Sequence, residues 1–260
     1  MKKTIWIMFA VILAAVIRAI VGLSCIGKKE EKNYEELRSQ AVETIKETDA
    51  DKKETEDIKE TSRHETKETY ETETPVYEAS MTIDHEKMKK VNSDYACWIN
   101  IPGTDISYPV VLPEDNDFYL HRTFEEKDYA YAGTLFIDAF SEKGLDQDNL
   151  IIYGHNMKNG TMFGELQKFK DNDYFEGHPY IEIHTPNELR VYQIFSVRDV
   201  SSDIDTLNFA LSDFSKKEYI GKAINESIQS REVAECQIIT LSTCVGDYSR
   251  RLLVSGVRIH

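Results

Sequence analysis

The chain has 260 residues, 41% of them hydrophobic, with only 12 Gly and 6 Pro, which allows a sizeable core and excludes a collagen-like or Pro/Gly-rich chain. Its 31 Lys and Arg against 46 Asp and Glu give a formal charge of −15, which argues against a nucleic-acid partner because phosphate-backbone binding needs a basic surface. Four cysteines, none spaced as C-x-x-C, exclude a disulfide-dense scaffold, a zinc ribbon and a thioredoxin-type motif.

Residues 5–26 (IWIMFAVILAAVIRAIVGLSCI) are apolar except for Arg18. As a helix this run spans roughly 33 Å, close to a bilayer core. It reads as a signal peptide or an uncleaved signal anchor. It is long for a cleaved segment and no A-x-A-like site follows, so residues 1–27 are expected to stay as a single membrane-spanning helix. Arg18 lies toward one end, where its head can snorkel to the interface. Lys2 and Lys3 before the run are balanced by Lys28 and Lys29 after it, so charge alone leaves the orientation open.

Residues 28–76 change character. Between 28 and 75 there are 10 Lys and Arg, 16 Asp and Glu, eight Thr and two aromatics. Such a segment buries too little apolar surface to offset its ordering entropy, so a disordered, charged stalk is expected. Tyr34, Leu37, Ala41 and Ile45 keep helical spacing, which predicts a short helix after the membrane run.

From 77 to 260 the chain reads as one globular domain. Met88, Val91 and Tyr95 predict a helix over 84–96, and Pro102-Gly103 marks a turn. Strands are predicted over 105–112, 133–138, 149–154, 180–185, 189–199, 236–243 and 251–259, with Pro109 pointing to an edge or bulge. Short helices fit 160–170 and 213–229. Six or seven short strands with few helices between them favour a mostly antiparallel β-barrel over a doubly wound sheet.

Two residues stand out for chemistry. Cys244 ends the apolar run Ile238–Thr243 and precedes Val245-Gly246-Asp247, where a strand opens into a loop. Arg250 and Arg251 begin the next strand. In a hairpin an arginine would face the cysteine, favouring a thiolate or holding a substrate oxygen. A cysteine at a strand end is by itself more often a small buried hydrophobe. His155 follows the buried strand ending at Gly154, and so also emerges at a strand-to-loop junction. A thiol needs such a base to react at neutral pH, although an isolated loop histidine is commonly just hydrogen-bonded. His121, His178 and His184 lack a partner motif. Cys97 and Cys236 read as core residues, and no group of side chains has metal-ligand spacing.

Thr240-Leu241-Ser242-Thr243-Cys244 resembles the T-L-x-T-C signature of the sortases, cysteine transpeptidases of Gram-positive cell surfaces. Ile152-Tyr153-Gly154-His155-Asn156-Met157, followed by Met162-Phe163, resembles the histidine region of their class B branch. So do Trp98-Ile99-Asn100-Ile101-Pro102-Gly103-Thr104, Tyr108-Pro109-Val110, and Asp115-Asn116-Asp117-Phe118-Tyr119-Leu120. The resemblance runs in unbroken order over about residues 80–259.

It implies a closed eight-stranded β-barrel with short flanking helices, preceded by the membrane anchor and the stalk. It implies Cys244 as nucleophile, His155 as acid/base and an arginine at the head of the last strand. Arg251 fits that place best, because alternation turns the adjacent Arg250 the other way. Ser242, Thr243 and Tyr153 would lie along the substrate groove, and Asn116 and Leu120 match positions that hold the sorting peptide in relatives. The implied reaction cleaves a C-terminal sorting motif of surface proteins after Thr, through a thioacyl-enzyme. The acceptor would be a peptidoglycan stem or cross-bridge amine. Class B relatives prefer motifs of the N-P-x-T type. No metal or organic cofactor is called for. The N-terminus would lie inside the cell and the domain on the extracellular face of the membrane. Two other readings of the residues remain open: a cysteine endopeptidase that only hydrolyses, and a wall-binding module in which Cys244 is inert.

Overall fold

The computed structural model describes residues 29–43, 77–125, 128–202, 216–245 and 249–260. The apolar run 5–26 and residues 44–76 of the expected stalk lie outside the described residues. Among the described residues no helix is long and apolar enough to cross a membrane.

Eight strands close into a barrel. They are β3 (Tyr95–Asn100), β4 (Ser107–Val111), β5 (Leu135–Ile137), β6 (Asn149–Tyr153), β7 (Tyr180–His184), β8 (Leu189–Ser201), β10 (Ile238–Val245) and β11 (Arg250–Arg258). Their order is β11-β10-β6-β5-β4-β3-β7-β8, and β8 pairs back onto β11 to complete the ring. The two-residue β9 (Gln229–Ser230) adds to β8 outside the ring. The pairings are antiparallel except for β4–β5 and β6–β10. Pro109 is accommodated inside the sheet because β4 pairs with β5 only through Val110 and Val111, so no ladder bond to β5 is lost at the proline.

Alternation along the strands sorts their side chains into two layers. Ile239 and Leu241 of β10, with Leu252 and Val254 of β11, enter the main barrel core around Trp98, Phe163 and Ile183. Ile238 and Val257 face outward, where Tyr219, Ile220 and Ala223 of the helix Lys216–Asn225 cover them.

The predicted helix over 84–96 ends sooner, as α2 (His85–Val91). Asn92 is the reason. Its Oδ1 accepts from Asp94 N at 2.7 Å and its Nδ2 donates to the Phe124 carbonyl at 2.6 Å, which offers the chain a turn in place of another helical residue. The β-prone run from Tyr95 then joins the sheet. The helix expected over 160–170 is a 3-10 segment, Gly164–Lys170, followed by α3 (Asn172–Gly177). Cys97 is buried as expected, but Cys236 is exposed, and both are free thiols.

Residues 29–43 depart from the expected solvated stalk. Residues 29–41 form a helix, α1, which buries Tyr34, Leu37 and Ala41 against the barrel. The Tyr34 hydroxyl donates to the Gly133 carbonyl, and Arg38 Nη2 donates to the Asp105 carbonyl at 3.0 Å. Behind α1, β1 (Val42–Glu43) pairs with β2 (Thr82–Ile83). Both ends of the charged segment 44–76 are therefore fastened to the same domain. In the sequence only residues 27 and 28 separate the apolar run from α1.

Candidate active site

Cys244 and Arg251 are directly opposed residues of the β10–β11 hairpin. Opposed residues of an antiparallel pair point to the same face, so thiol and guanidinium share a surface. That face also carries Ser242, and its neighbour on the parallel strand β6 is Tyr153. The Arg251 guanidinium carbon lies 5.7 Å from the centre of the Tyr153 ring. The Tyr153 hydroxyl donates to Asp138 Oδ2 at 2.7 Å, which fixes the ring as a floor beneath the cation. Burial first, and then the Asp138 carboxylate, push the Tyr153 phenol well above its ordinary range.

Arg250 is committed elsewhere. Its Nε donates to Asp199 Oδ1 at 2.6 Å and its Nη2 to the Asp199 carbonyl at 2.8 Å, both on β8. Arg251 Nε is buried and has no hydrogen-bond partner among the described residues. The two adjacent arginines, open alternatives by position alone, are thus separated by what they touch.

His155 arrives on the neighbouring strand end. Ser242 and Tyr153 are in register across β10 and β6, and the Gly154 N–H donates to the Ser242 carbonyl at 3.2 Å. Two residues further on stand Cys244 and His155, on strands spaced about 4.8 Å apart. Asn156 Nδ2 donates to the Cys244 carbonyl at 2.8 Å and ties the two loops together. Gly154 lets Leu135 and Phe163 pack against the backbone just before His155, since a Cβ there would stand 2.3 Å from Leu135 Cδ2 and 2.6 Å from Phe163 Cδ2. The Phe163 N–H closes the histidine loop on the His155 carbonyl at 3.0 Å.

The imidazole is oriented at its edge and on its face. Nε2 lies 2.8 Å from the Leu120 carbonyl oxygen. A carbonyl only accepts, so Nε2 carries the proton and donates, leaving Nδ1 as the nitrogen free for exchange. His121 stacks on the ring with centroids 5.3 Å apart, and Tyr131 does so at 6.2 Å. Burial first, and then the neighbouring His121, lower the His155 pKa against the opposing effect of the Leu120 hydrogen bond.

The remaining candidates are placed unevenly. Ser242 shares the face of Cys244 but is buried, with its hydroxyl unpartnered among the described residues. Thr243 pairs with core residue Leu252, so alternation turns it away from the surface of Cys244. Asn116 Oδ1 accepts from Ala139 N at 2.8 Å, tying its own loop to the one after β5. Leu120 packs partly against the core and meets the site through its carbonyl. Sequence reasoning passed over His121, Tyr131, Asn156 and Asp138. Only Asn156 carried a signal, as the residue after His155 in the quoted motif. Among the described residues no cluster of His, Cys, Asp and Glu could hold a metal ion.

Comparison with known proteins gives a consistent picture. The Sortase domain model matches residues 99–259. Sortase B of Listeria monocytogenes serovar 1/2a is 34% identical over 178 residues, covering 65% of this chain and 71% of the relative. Sortase B of Staphylococcus aureus strain NCTC 8325 is 30% identical over 175 residues, covering 63% and 68%. Among solved structures, a cysteine-to-serine mutant of Clostridium perfringens sortase B is similar with a TM-score of 0.61 at 31% identity, covering 67% of this chain and 86% of that one. A Staphylococcus aureus sortase B–substrate complex is similar at 0.60 and 27% identity, covering 66% and 83%.

Proposed function

Because this chain belongs to the sortase family, in its class B branch, and is a cysteine transpeptidase of surface proteins, we propose that Cys244, His155 and Arg251 carry its reaction. The observation that supports this most directly is the pairing of Cys244 with Arg251 on one face, with His155 on the adjoining strand end.

The Cys244 thiol gives its proton to His155 Nδ1. The thiolate attacks the carbonyl carbon that follows Thr in a C-terminal sorting motif of the N-P-x-T type. The charge that develops on the carbonyl oxygen falls to Arg251, a permanent cation held over Tyr153. The imidazolium returns its proton to the departing amine, and a thioester to Cys244 remains. An amine of a wall peptide then attacks the thioester, gives its proton to His155 and releases the Cys244 thiolate. The Leu120 carbonyl, at Nε2, does for this imidazole what a carboxylate does in a triad: it fixes the tautomer and favours the protonated ring. With the His155 pKa lowered, the imidazolium is a minor form at neutral pH, so turnover should be modest.

Residues 5–26 would anchor the enzyme in the membrane with the barrel outside. With α1 docked on the barrel, the short connection at residues 27 and 28 would hold the site near the bilayer, where substrates carrying their own C-terminal helix are concentrated.

The test is ligation. The full chain, an N-P-x-T-type peptide library and triglycine are incubated, and products and enzyme adducts are read by mass. Ligated peptide, with a thioester adduct on Cys244 that is absent from Cys244→Ala, is the expected result. Hydrolysis without ligation would exclude a glycine amine as the acceptor, and an adduct on another residue would remove Cys244 from its role.

A further inference from the structure

We propose that His121 is a positioning residue for His155, holding its imidazole by ring stacking and acting on its protonation through its own charge. The proposal rests on His155 being the acid/base.

His121 is the last residue of the 3-10 segment Phe118–His121. The preceding residue, Leu120, supplies the carbonyl at His155 Nε2. One turn of chain therefore grips the imidazole twice, at its edge by the hydrogen bond and on its face by the stack. The two imidazole planes lie 22° apart with centroids 5.3 Å apart. Tyr129 continues the column on His121 at 5.5 Å, and Tyr131 stacks on both histidines, 16° from the plane of His155. The column is fastened from behind. The Ala130 N–H donates to the His121 carbonyl at 3.0 Å, and the Tyr131 N–H donates to Glu30 Oε1 of α1 at 2.7 Å.

The groups around the pair make the charge coupling legible. His155 meets His121 and Tyr131, which also meet each other, and the neighbouring strand ends carry Cys244 and Arg251. His121 meets Tyr129, Tyr131 and His155, while Arg122, next in the chain, lies over the Phe118 ring. Among the described residues no carboxylate forms an ion pair with either imidazole. A charge on one ring therefore opposes a charge on the other, with no ion-paired carboxylate among the described residues to offset it. Two like charges at this separation shift a titration by about half a pH unit even at the dielectric of water, and by more in a partly buried site. The lowered pKa of His155 agrees in direction. His121 thus limits formation of the imidazolium that must protonate the leaving amine, while keeping the ring in place to do so.

The experiment uses the full chain with 15N-labelled histidine. The His155 ring is titrated by NMR in the wild type, His121→Phe and His121→Ala, and the rate of Cys244 alkylation by iodoacetamide is measured over the same pH range. In the wild type the His155 curve should be broadened, because its midpoint depends on the charge of the neighbouring ring. In His121→Phe the stack remains without a charge, and the curve should sharpen, with its midpoint higher by about half a unit or more. The alkylation profile should move with it. His121→Ala should lower alkylation at neutral pH several-fold, and His121→Phe should restore it. A His155 midpoint that His121→Phe leaves unmoved, with His121→Ala alkylated at the wild-type rate, would overturn the proposal. His155→Gln separates the two layers. If it leaves the alkylation profile unchanged, the acid/base assignment fails together with this inference; if it alters the profile while the His121 variants do not, only this inference fails.

Discussion

A Cβ at Gly133 would stand 2.4 Å from the carbonyl oxygen of Leu120, the oxygen that accepts the hydrogen bond from His155 Nε2. Gly133 also has φ +60, in the left-handed region. The orientation of the His155 imidazole therefore depends on a residue without a side chain, 13 positions after Leu120 in the chain. Gly133→Ala should cost about 1–3 kcal/mol in backbone strain alone. It should also push the Leu120 carbonyl off the imidazole, so alkylation of Cys244 falls further than stability does. Urea unfolding beside iodoacetamide kinetics tests this; equal Gly133→Ala and wild-type values in both would refute it.

The two arginines should separate in the ligation assay. Arg251→Ala should slow acylation by about 100-fold or more, the usual scale for losing a group that meets developing charge. Arg251→Lys should not restore it, since an ammonium cannot reproduce a planar guanidinium lying over Tyr153. Arg250→Ala removes an exposed pair with Asp199 and should change stability by about 0–1 kcal/mol, with ligation near the wild-type rate. A larger loss of ligation in Arg250→Ala than in Arg251→Ala would reverse the assignment.

Much of the barrel was readable because β10 and β11 are alternating runs whose ends carry the candidate site residues. Cys244 and Arg251 could be paired from sequence once a hairpin was assumed, and the strand boundaries fell within a few residues of those observed. Two kinds of information were hidden. One was long-range: His121 and Tyr131 reach His155 only through folding of a loop that has no periodic pattern. The other was competition between local and global signals. Charge density made residues 29–43 read as solvated, yet Tyr34, Leu37 and Ala41 lie on one helical stripe and dock. The helical spacing was visible, but its partner surface was not. The resemblance put Thr243 along the groove beside Cys244, and in β10 a period of two turns its side chain to the face opposite that of Cys244.

β1 pairs with β2, and the 33 residues 44–76 connect described residues of the same domain. Replacing them with a Gly/Ser linker of about 12 residues should leave the fold and ligation intact. Shortening the loop should stabilise the protein by about 1 kcal/mol through a lower closure entropy. Thermal unfolding of the two forms measures this. A replaced chain that loses α1 docking, seen as new protease cleavage near Leu37, would show that the charged segment does more than connect.

The largest pH effect on stability should come from Glu182, far in sequence from the candidate site. Its carboxylate is fully buried and accepts from Tyr77 Oη at 2.9 Å, Ser80 N at 3.1 Å, the Ser80 hydroxyl and Asn100 Nδ2 at 2.8 Å, with His184 Nε2 at 3.1 Å. Burial works to raise its pKa, but the hydrogen bonds from His184, Ser80, Asn100 and Tyr77 outweigh it and hold the group at about 2, against an ordinary 4.5. A carboxylate depressed in the folded state contributes its full stabilisation above the unfolded value. That contribution, on the order of 3 kcal/mol, should be lost progressively as the pH falls from about 4.5 toward about 2. Glu182→Gln keeps the shape without the charge. It should lower stability at neutral pH and flatten the acid limb, read as unfolding free energy in urea at a series of pH values. Parallel losses in the two proteins across that window would place the acid sensitivity elsewhere in the barrel.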